Sequence, residues 1–139
     1  MTTDIQSLIP HRDPFLFVDR IVSADPTRIV GERTFQADAW FFRGHFPGYP
    51  VVPGVLLIET MAQCGGAGLV HCGAMQNKVF LLASVDKAKF RRQVRPGELI
   101  RMEIEILRMS PRVVKQRGTA SVDGEVAAEA EWLCVLGNV

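Results

Sequence analysis

The sequence carries almost no net charge, few cysteines and, over one long stretch, hardly a charged residue at all. Sixteen Lys and Arg against fifteen Asp and Glu leave +1, which removes a global electrostatic drive toward nucleic acid or an anionic membrane. A charged partner must then be met by a local patch. Cys64, Cys72 and Cys134 are the only cysteines; an odd number without knot-like spacing argues against a disulfide framework and fits a reducing, cytoplasmic compartment. No basic run precedes an apolar one in Met1-Thr2-Thr3-Asp4-Ile5-Gln6-Ser7, so a secretory signal is not expected. Internal repeats and linkers are missing too. With 47% hydrophobic and 22% charged among 139 residues, the chain has the means to bury a core, and one compact domain spanning 1–139 is expected.

The charge-poor stretch runs from Phe46 to Asn77, where Glu59 is the only Asp, Glu, Lys or Arg. Such a segment is expected to be mostly buried. Its first residues, Phe46-Pro47-Gly48-Tyr49-Pro50-Val51-Val52-Pro53-Gly54, hold too much Pro and Gly for regular structure, and Pro53-Gly54 reads as the turn that launches a helix from about Val55 to Cys72. Val55, Leu56, Leu57, Ile58, Met61, Ala62, Leu69 and Val70 leave that helix no polar side, the pattern of a helix enclosed by other structure. Gly65, Gly66 and Gly68 weaken its propensity but admit close neighbours. A membrane span is the rival reading, opposed by Glu59, Gln63 and His71, each costly in lipid.

The remainder alternates with a period of two. From Leu99 to Met109, Ile100, Met102, Ile104 and Ile106 oppose Arg101, Glu103 and Glu105, which predicts a half-buried strand. Glu125 to Leu136 repeats this, with Val126, Ala128, Ala130, Trp132 and Cys134 opposed to Glu125, Ala127, Glu129 and Glu131. Asp123-Gly124 separates it from a strand over Val113–Val122 and is a strong hairpin signal. Phe15–Val22 and Arg28–Phe35, joined through Ala24-Asp25-Pro26-Thr27, and Val79–Val94 also read as strands. The expectation is an α+β fold: an antiparallel sheet of five or six strands wrapped around the single long helix, the only element apolar enough to cover the sheet.

A lone carboxylate on a core helix is either paired or functional. Glu59 has both options: a structural hydrogen bond to Gln63 one turn on, or acid chemistry tuned by burial, which raises its pKa, and by the helix N-terminus, which lowers it. His45 precedes it by fourteen residues in Arg43-Gly44-His45-Phe46-Pro47. A loop His is ordinarily a surface residue, yet an imidazole and an isolated carboxylate near one helix start form a plausible acid/base couple. The N–H of Gly54, unsatisfied inside the helix, adds a donor able to polarise a carbonyl oxygen.

Leu8-Ile9-Pro10-His11-Arg12, Pro14-Phe15-Leu16-Phe17-Val18-Asp19-Arg20, the run from Gly44 to Gln63, Asp86-Lys87-Ala88-Lys89-Phe90-Arg91-Arg92 and Val94-Arg95-Pro96-Gly97-Glu98 together resemble the (3R)-hydroxyacyl-[acyl-carrier-protein] dehydratases of fatty-acid synthesis. The similarity spans most of the chain in order and spacing. It implies a hot-dog fold and a homodimer, or a trimer of such dimers, whose active sites lie between subunits, with His45 of one chain meeting Glu59 of the other. It implies no cofactor. His45 would take the C2 proton of a 3-hydroxyacyl thioester, Glu59 would protonate the departing C3 hydroxyl, the Gly54 N–H would hold the thioester carbonyl, and Phe46 and Gln63 would complete the substrate site. Glu59 argues against the related dehydratase that also isomerises the double bond, which carries Asp there. The sequence departs from the family pattern at Asp13, at Asp38-Ala39 and over Leu81–Val85.

Lys87, Lys89, Arg91, Arg92 and Arg95 make one locally basic run, with its odd-numbered members expected on one strand face. It is either an ordinary solvated edge or a docking patch for the acidic acyl carrier protein. Cys64, His71 and Cys72 lack a further close ligand, so no metal site is expected. His11 reads as a turn or packing residue, and Phe15, Phe17, Phe41, Phe42 and Phe46 as core in the main, with one or two lining an acyl tunnel. Two other functions use the same residues: a thioesterase in which Glu59 activates water, and a non-catalytic acyl-binding protein.

Overall fold

The computed structural model describes residues 4–76 and 78–137; Met1–Thr3 of the N-terminal reading and Asn77 at the end of the charge-poor stretch lie outside it. After a helical turn at Ile5–Ser7 come β1 (Arg20–Ala24), β2 (Arg28–Thr34), a second helical turn at Trp40–Arg43, α1 (Gly54–His71), β3 (Val79–Phe90), β4 (Leu99–Met109), β5 (Val113–Val122) and β6 (Glu125–Gly137). The strands form one six-stranded sheet in the order β1-β2-β4-β5-β6-β3, every pair antiparallel. Helix α1 packs against all six strands. The sheet curls around it as expected, because a sheet with one apolar face and a helix with no polar side bury their surfaces only against each other.

The alternation read from β4 is the alternation of burial. Ile100, Met102 and Ile104 are buried and Arg101 and Glu105 exposed. Asp123 and Gly124 turn the β5–β6 hairpin with φ of 50° and 79°, the left-handed pair that a two-residue hairpin needs. Two ring-edge contacts tie Phe17 to Phe35 and Phe35 to Phe41, with centroids 5.6 and 5.4 Å apart. No helix among the described residues is long and apolar enough to cross a membrane.

The sequence expectation fails in several places, each with a local cause. Phe15–Val22 is not a strand as a whole; β1 begins only at Arg20. The Phe17 N–H donates to Gln63 Oε1 at 2.8 Å and the Phe15 carbonyl accepts from Gln63 Nε2 at 3.0 Å, so Phe15–Phe17 is held by a side chain of α1, and pairing with β2 begins only near Asp19 and Arg20. The strand expected over Val79–Val94 stops at Phe90. Ala127 is buried although the alternation puts it on the polar side: Ala120 pairs with Ala128 and Ser121 with Val126, leaving Ala127 as the extra residue of a bulge. Lys87, at φ 54°, sits in a second bulge between Asp86 and Lys89, so the odd-numbered basic residues do not share one even face. Phe46 to Tyr49 and Val55 are exposed, so the charge-poor stretch is buried only from Val51 onward and with gaps. Phe15 is also exposed, whereas Phe17, Phe41 and Phe42 are core.

Glycines let α1 sit this close to the sheet. A Cβ on Gly65 would collide with the side chain of Gln116, a buried residue whose Oε1 accepts the Trp132 Nε1–H at 2.9 Å. Gly65→Ala is therefore expected to lower the melting temperature by several degrees, since overpacking costs about 1–3 kcal/mol and each kcal/mol is worth about 4 °C in a domain of this size. Calorimetry reads it directly; an unchanged midpoint would show that Gln116 has somewhere else to go.

Candidate active site

His45 leaves the helical turn at Trp40–Arg43 and enters the Pro- and Gly-rich loop that leads into α1. The peptide joining it to Phe46 is cis. Its ring stacks on Phe46, with centroids 4.1 Å apart and planes 26° from parallel, and its Nδ1 lies 2.8 Å from the Val51 carbonyl oxygen. A carbonyl only accepts, so Nδ1 carries the proton, and the neutral ring keeps its lone pair on Nε2. The imidazole is thereby oriented and made basic at one defined nitrogen.

The same loop delivers the start of α1 beside it. Among the first four N–H groups of the helix, those of Leu56 and Leu57 reach the Pro53 carbonyl, while those of Gly54 and Val55 have no acceptor among the described residues. His45, Phe46, Val51, Val52, Gly54, Val55, Leu57, Phe90 and Arg91–Gln93 enclose a mostly apolar cleft of about 620 Å³. A Cβ on Gly54 would stand 2.9 Å from the Phe90 ring; the glycine is what lets that ring lie against the helix start. His45, Phe46 and Gly54 are thus brought together as the sequence suggests.

Glu59 is not in that cleft. It lines a separate, narrow cavity with Ile9, His11, Ala62, Gln63, Gly66, Phe80, Leu82 and Cys134, and its side chain is 22% exposed, half-buried where the sequence suggested full burial. Its Oε2 accepts from Gln63 Nε2 at 2.9 Å. The Gln63 amide has no freedom to flip, because the Phe17 N–H demands its oxygen and the Phe15 carbonyl its nitrogen. Gln63 supports Glu59 as expected. In one chain, then, His45 and Glu59 stand in two different openings.

With that geometry in view, the relatives become informative. The FabA-like domain family matches residues 9–131. A 3-hydroxyacyl-[acyl-carrier-protein] dehydratase FabZ from Desulforamulus reducens is 47% identical over 135 residues, covering 96% of this chain and 95% of the relative. The FabZ of Pelotomaculum thermopropionicum is 48% identical over 130 residues, 93% of each chain. The chain belongs to the FabZ family of 3-hydroxyacyl-[acyl-carrier-protein] dehydratases. Among solved structures, the dehydratase heterocomplex ApeI:P from Xenorhabdus doucetiae superposes with a TM-score of 0.85 at 15% identity, over 99% of this chain and 93% of that one. A hypothetical thioesterase from Streptococcus pneumoniae, solved with coenzyme A, reaches 0.64 at 9% identity, over 86% and 85%. At such identities the likeness is one of fold, the hot-dog fold.

Two features of this FabZ-family chain escaped the sequence reading. His11, read as a turn or packing residue, places Nε2 3.7 Å from Glu59 Oε2; the loop that brings it there is pinned by Arg12, whose guanidinium donates to the carbonyls of Gln6, Ile9 and His11. No periodicity marks such a contact across 48 positions. The basic run is largely matched within the chain: Lys87 pairs with Glu131 at 3.4 Å, Arg91 with Glu129 at 3.0 Å, and Arg92 with Glu98 at 2.8 Å and Glu125 at 3.1 Å. The Arg92 hydrogen bond holds the Glu98 carboxyl below its ordinary range. Arg92 is therefore a fixed wall of the His45 cleft, tied to the loop that opens β4. Neither Cys64 nor Cys134 is a poised nucleophile; burial pushes each thiol up to about 12.

Proposed function

We propose that this enzyme dehydrates (3R)-3-hydroxyacyl chains, held as thioesters on acyl carrier protein in fatty-acid biosynthesis, with His45 as base and Glu59 as acid. The observation that carries the assignment is the bond from His45 Nδ1 to the Val51 carbonyl, which leaves Nε2 as a lone-pair nitrogen in the cleft that also holds the Gly54 N–H. The thioester carbonyl accepts from that N–H, which stabilises the charge that grows on its oxygen as Nε2 takes the C2 proton. The C3–O bond breaks, Glu59 gives its proton to the leaving hydroxyl, and the products are water and the trans-2-enoyl thioester. The C2–H and the departing oxygen are on adjacent carbons, so base and acid must converge on one substrate, which the two separate openings of a single chain do not allow.

The acid at a given His45 is the partner subunit's Glu59. Support comes from the surface that one chain leaves uncovered. Strand β3 pairs only with β6, and its free edge carries Leu81 at 56% and Phe90 at 52% exposure, beside Val55 at 71% on α1 and Phe46 at 50%. An exposed apolar edge strand of twelve residues is an association surface, and an isologous dimer over it covers both edges at once. Carrier protein approaches the rim at Arg91 and Arg92; ion pairs with Glu129, Glu98 and Glu125 offset much of their charge, so Lys89, together with Lys87 beside Glu131, adds to the field that docks it.

The reaction runs backward in a cuvette. Mixed with a short trans-2-enoyl thioester, the protein is expected to hydrate it, with loss of the conjugated absorbance and no release of thiol. Thiol release would make the enzyme a thioesterase, and an unchanged spectrum would make it an acyl-binding protein; either result overturns the assignment.

A further inference from the structure

Glu59 can act as an acid only while it holds a proton, and a carboxyl group has two oxygens on which to hold it. Oε2 already accepts from Gln63 Nε2 at 2.9 Å, and Gln63 cannot flip away. His11 Nε2 stands 3.7 Å from the same oxygen, in the same cavity. At that separation the contact is electrostatic rather than a formed hydrogen bond, and catalytic contacts of this length commonly close when substrate binds. Nδ1, at the other corner of the ring, is buried without a hydrogen-bond partner among the described residues. An imidazole has only one proton to place when neutral. The corner that faces a carboxyl oxygen gains by carrying it, and the buried corner has no acceptor to offer.

We propose that His11 is a positioning residue for Glu59: its Nε2–H and the Gln63 amide both address Oε2, which confines the acid proton to Oε1, the oxygen left for the leaving hydroxyl. An oxygen that faces two N–H donors cannot itself carry a hydrogen without a clash of donors, so the two neighbours act as a selector between the two carboxyl tautomers. The charged and titratable groups around the pair are Glu59 from α1, Arg12 next along the loop and the Cys134 thiol from β6. Burial is the main influence on His11 and lowers its pKa, with Glu59 opposing and Arg12 adding to the shift. The neutral ring that the arrangement needs is thus the form present near pH 7. The inference rests on Glu59 being the acid.

The test uses the purified full-length protein, steady-state dehydration of a (3R)-3-hydroxyacyl thioester, and two replacements. His11→Phe keeps the ring and removes the donor; His11→Gln returns an N–H near the position of Nε2. The Phe variant is expected to lose kcat by about ten- to a hundredfold, the worth of one hydrogen bond to the charge that develops on the carboxyl as its proton leaves, with KM within about twofold because Oε2 binds no substrate atom. The Gln variant is expected to regain most of the rate. Equal losses in both variants, or a Phe variant that loses as much in KM as in kcat, would overturn the proposal. A measurement needing no substitution decides independently of folding: nitrogen NMR of the His11 ring should show hydrogen on Nε2 and a bare Nδ1, and the opposite tautomer rejects the idea. Glu59→Gln separates this from the larger reading, since an active Glu59→Gln enzyme removes Glu59 as the acid, whereas an inactive one beside a fully active His11→Phe removes only the role of His11.

Discussion

His45→Ala is expected to lower turnover of a (3R)-3-hydroxyacyl thioester by about 10²–10⁴-fold, the range a positioned general base supplies, and Glu59→Gln to do the same from the acid side. The expectation is tied to what each side chain touches. Among the described residues the His45 ring makes one hydrogen bond, to the Val51 carbonyl, and one stacking contact, with Phe46, itself half exposed. Removing the ring therefore leaves the core intact, and the melting temperature should move little. Glu59→Gln keeps the shape and the acceptor that Gln63 needs but has no transferable proton. In each variant KM should change less than kcat, because the lost group acts on atoms that move in the transition state. The residual rate should exceed that of free substrate, since the Gly54 N–H remains and such a donor alone is worth about 10²–10³-fold. Rapid quench with chromatography of the enoyl product measures all of this; near-normal turnover by His45→Ala would remove the imidazole from the chemistry.

How far the site could be read from the sequence depends on the range over which each feature is encoded. The helix and its start at Pro53-Gly54 are local: a Pro that fixes the entry, then eighteen residues in which Glu59 is the one charge. The Asp123-Gly124 turn is local too, and its two left-handed residues follow from residue type. The β1 boundary is not local. Phe15 to Val18 alternate like a strand, but the partner for their backbone groups is Gln63, more than forty positions away, and no pattern within the segment names it. The bulge at Ala127 is equally invisible, since one extra residue reverses a face without altering composition. His11, a solitary imidazole in a turn, has no signature in the sequence, and its meaning comes only from the cavity it shares with Glu59. The apolar surface of Val55, Leu81 and Phe90 reads as core in sequence because apolar patterning reports burial in the assembled protein, and does not say whether the covering surface belongs to the same chain.

That last ambiguity is resolved by a complementation experiment with a large expected signal. Chains carrying His45→Ala and chains carrying Glu59→Gln are each expected to be nearly inactive alone. Coexpressed and allowed to assort at random, half of the dimers contain one of each. If a site takes His45 from one chain and Glu59 from the other, such a dimer has one site with both substitutions and one with neither, so about a quarter of wild-type activity returns. If both residues of a site come from the same chain, every site carries one defect and the mixture stays at the level of its parents. Two affinity tags used in series would isolate the mixed dimers and raise the recovered fraction to about a half. Recovery is the expected result: within one chain His45 and Glu59 line different cavities, and on the proposed reading a second chain docked over the uncovered β3 edge would bring its own Glu59 to the first chain's imidazole. Activity that never rises above the single-variant baseline, from mixed dimers shown to be intact by mass, would place acid and base in one protomer and require the chain to close on itself in a way that the separation of the two cavities opposes.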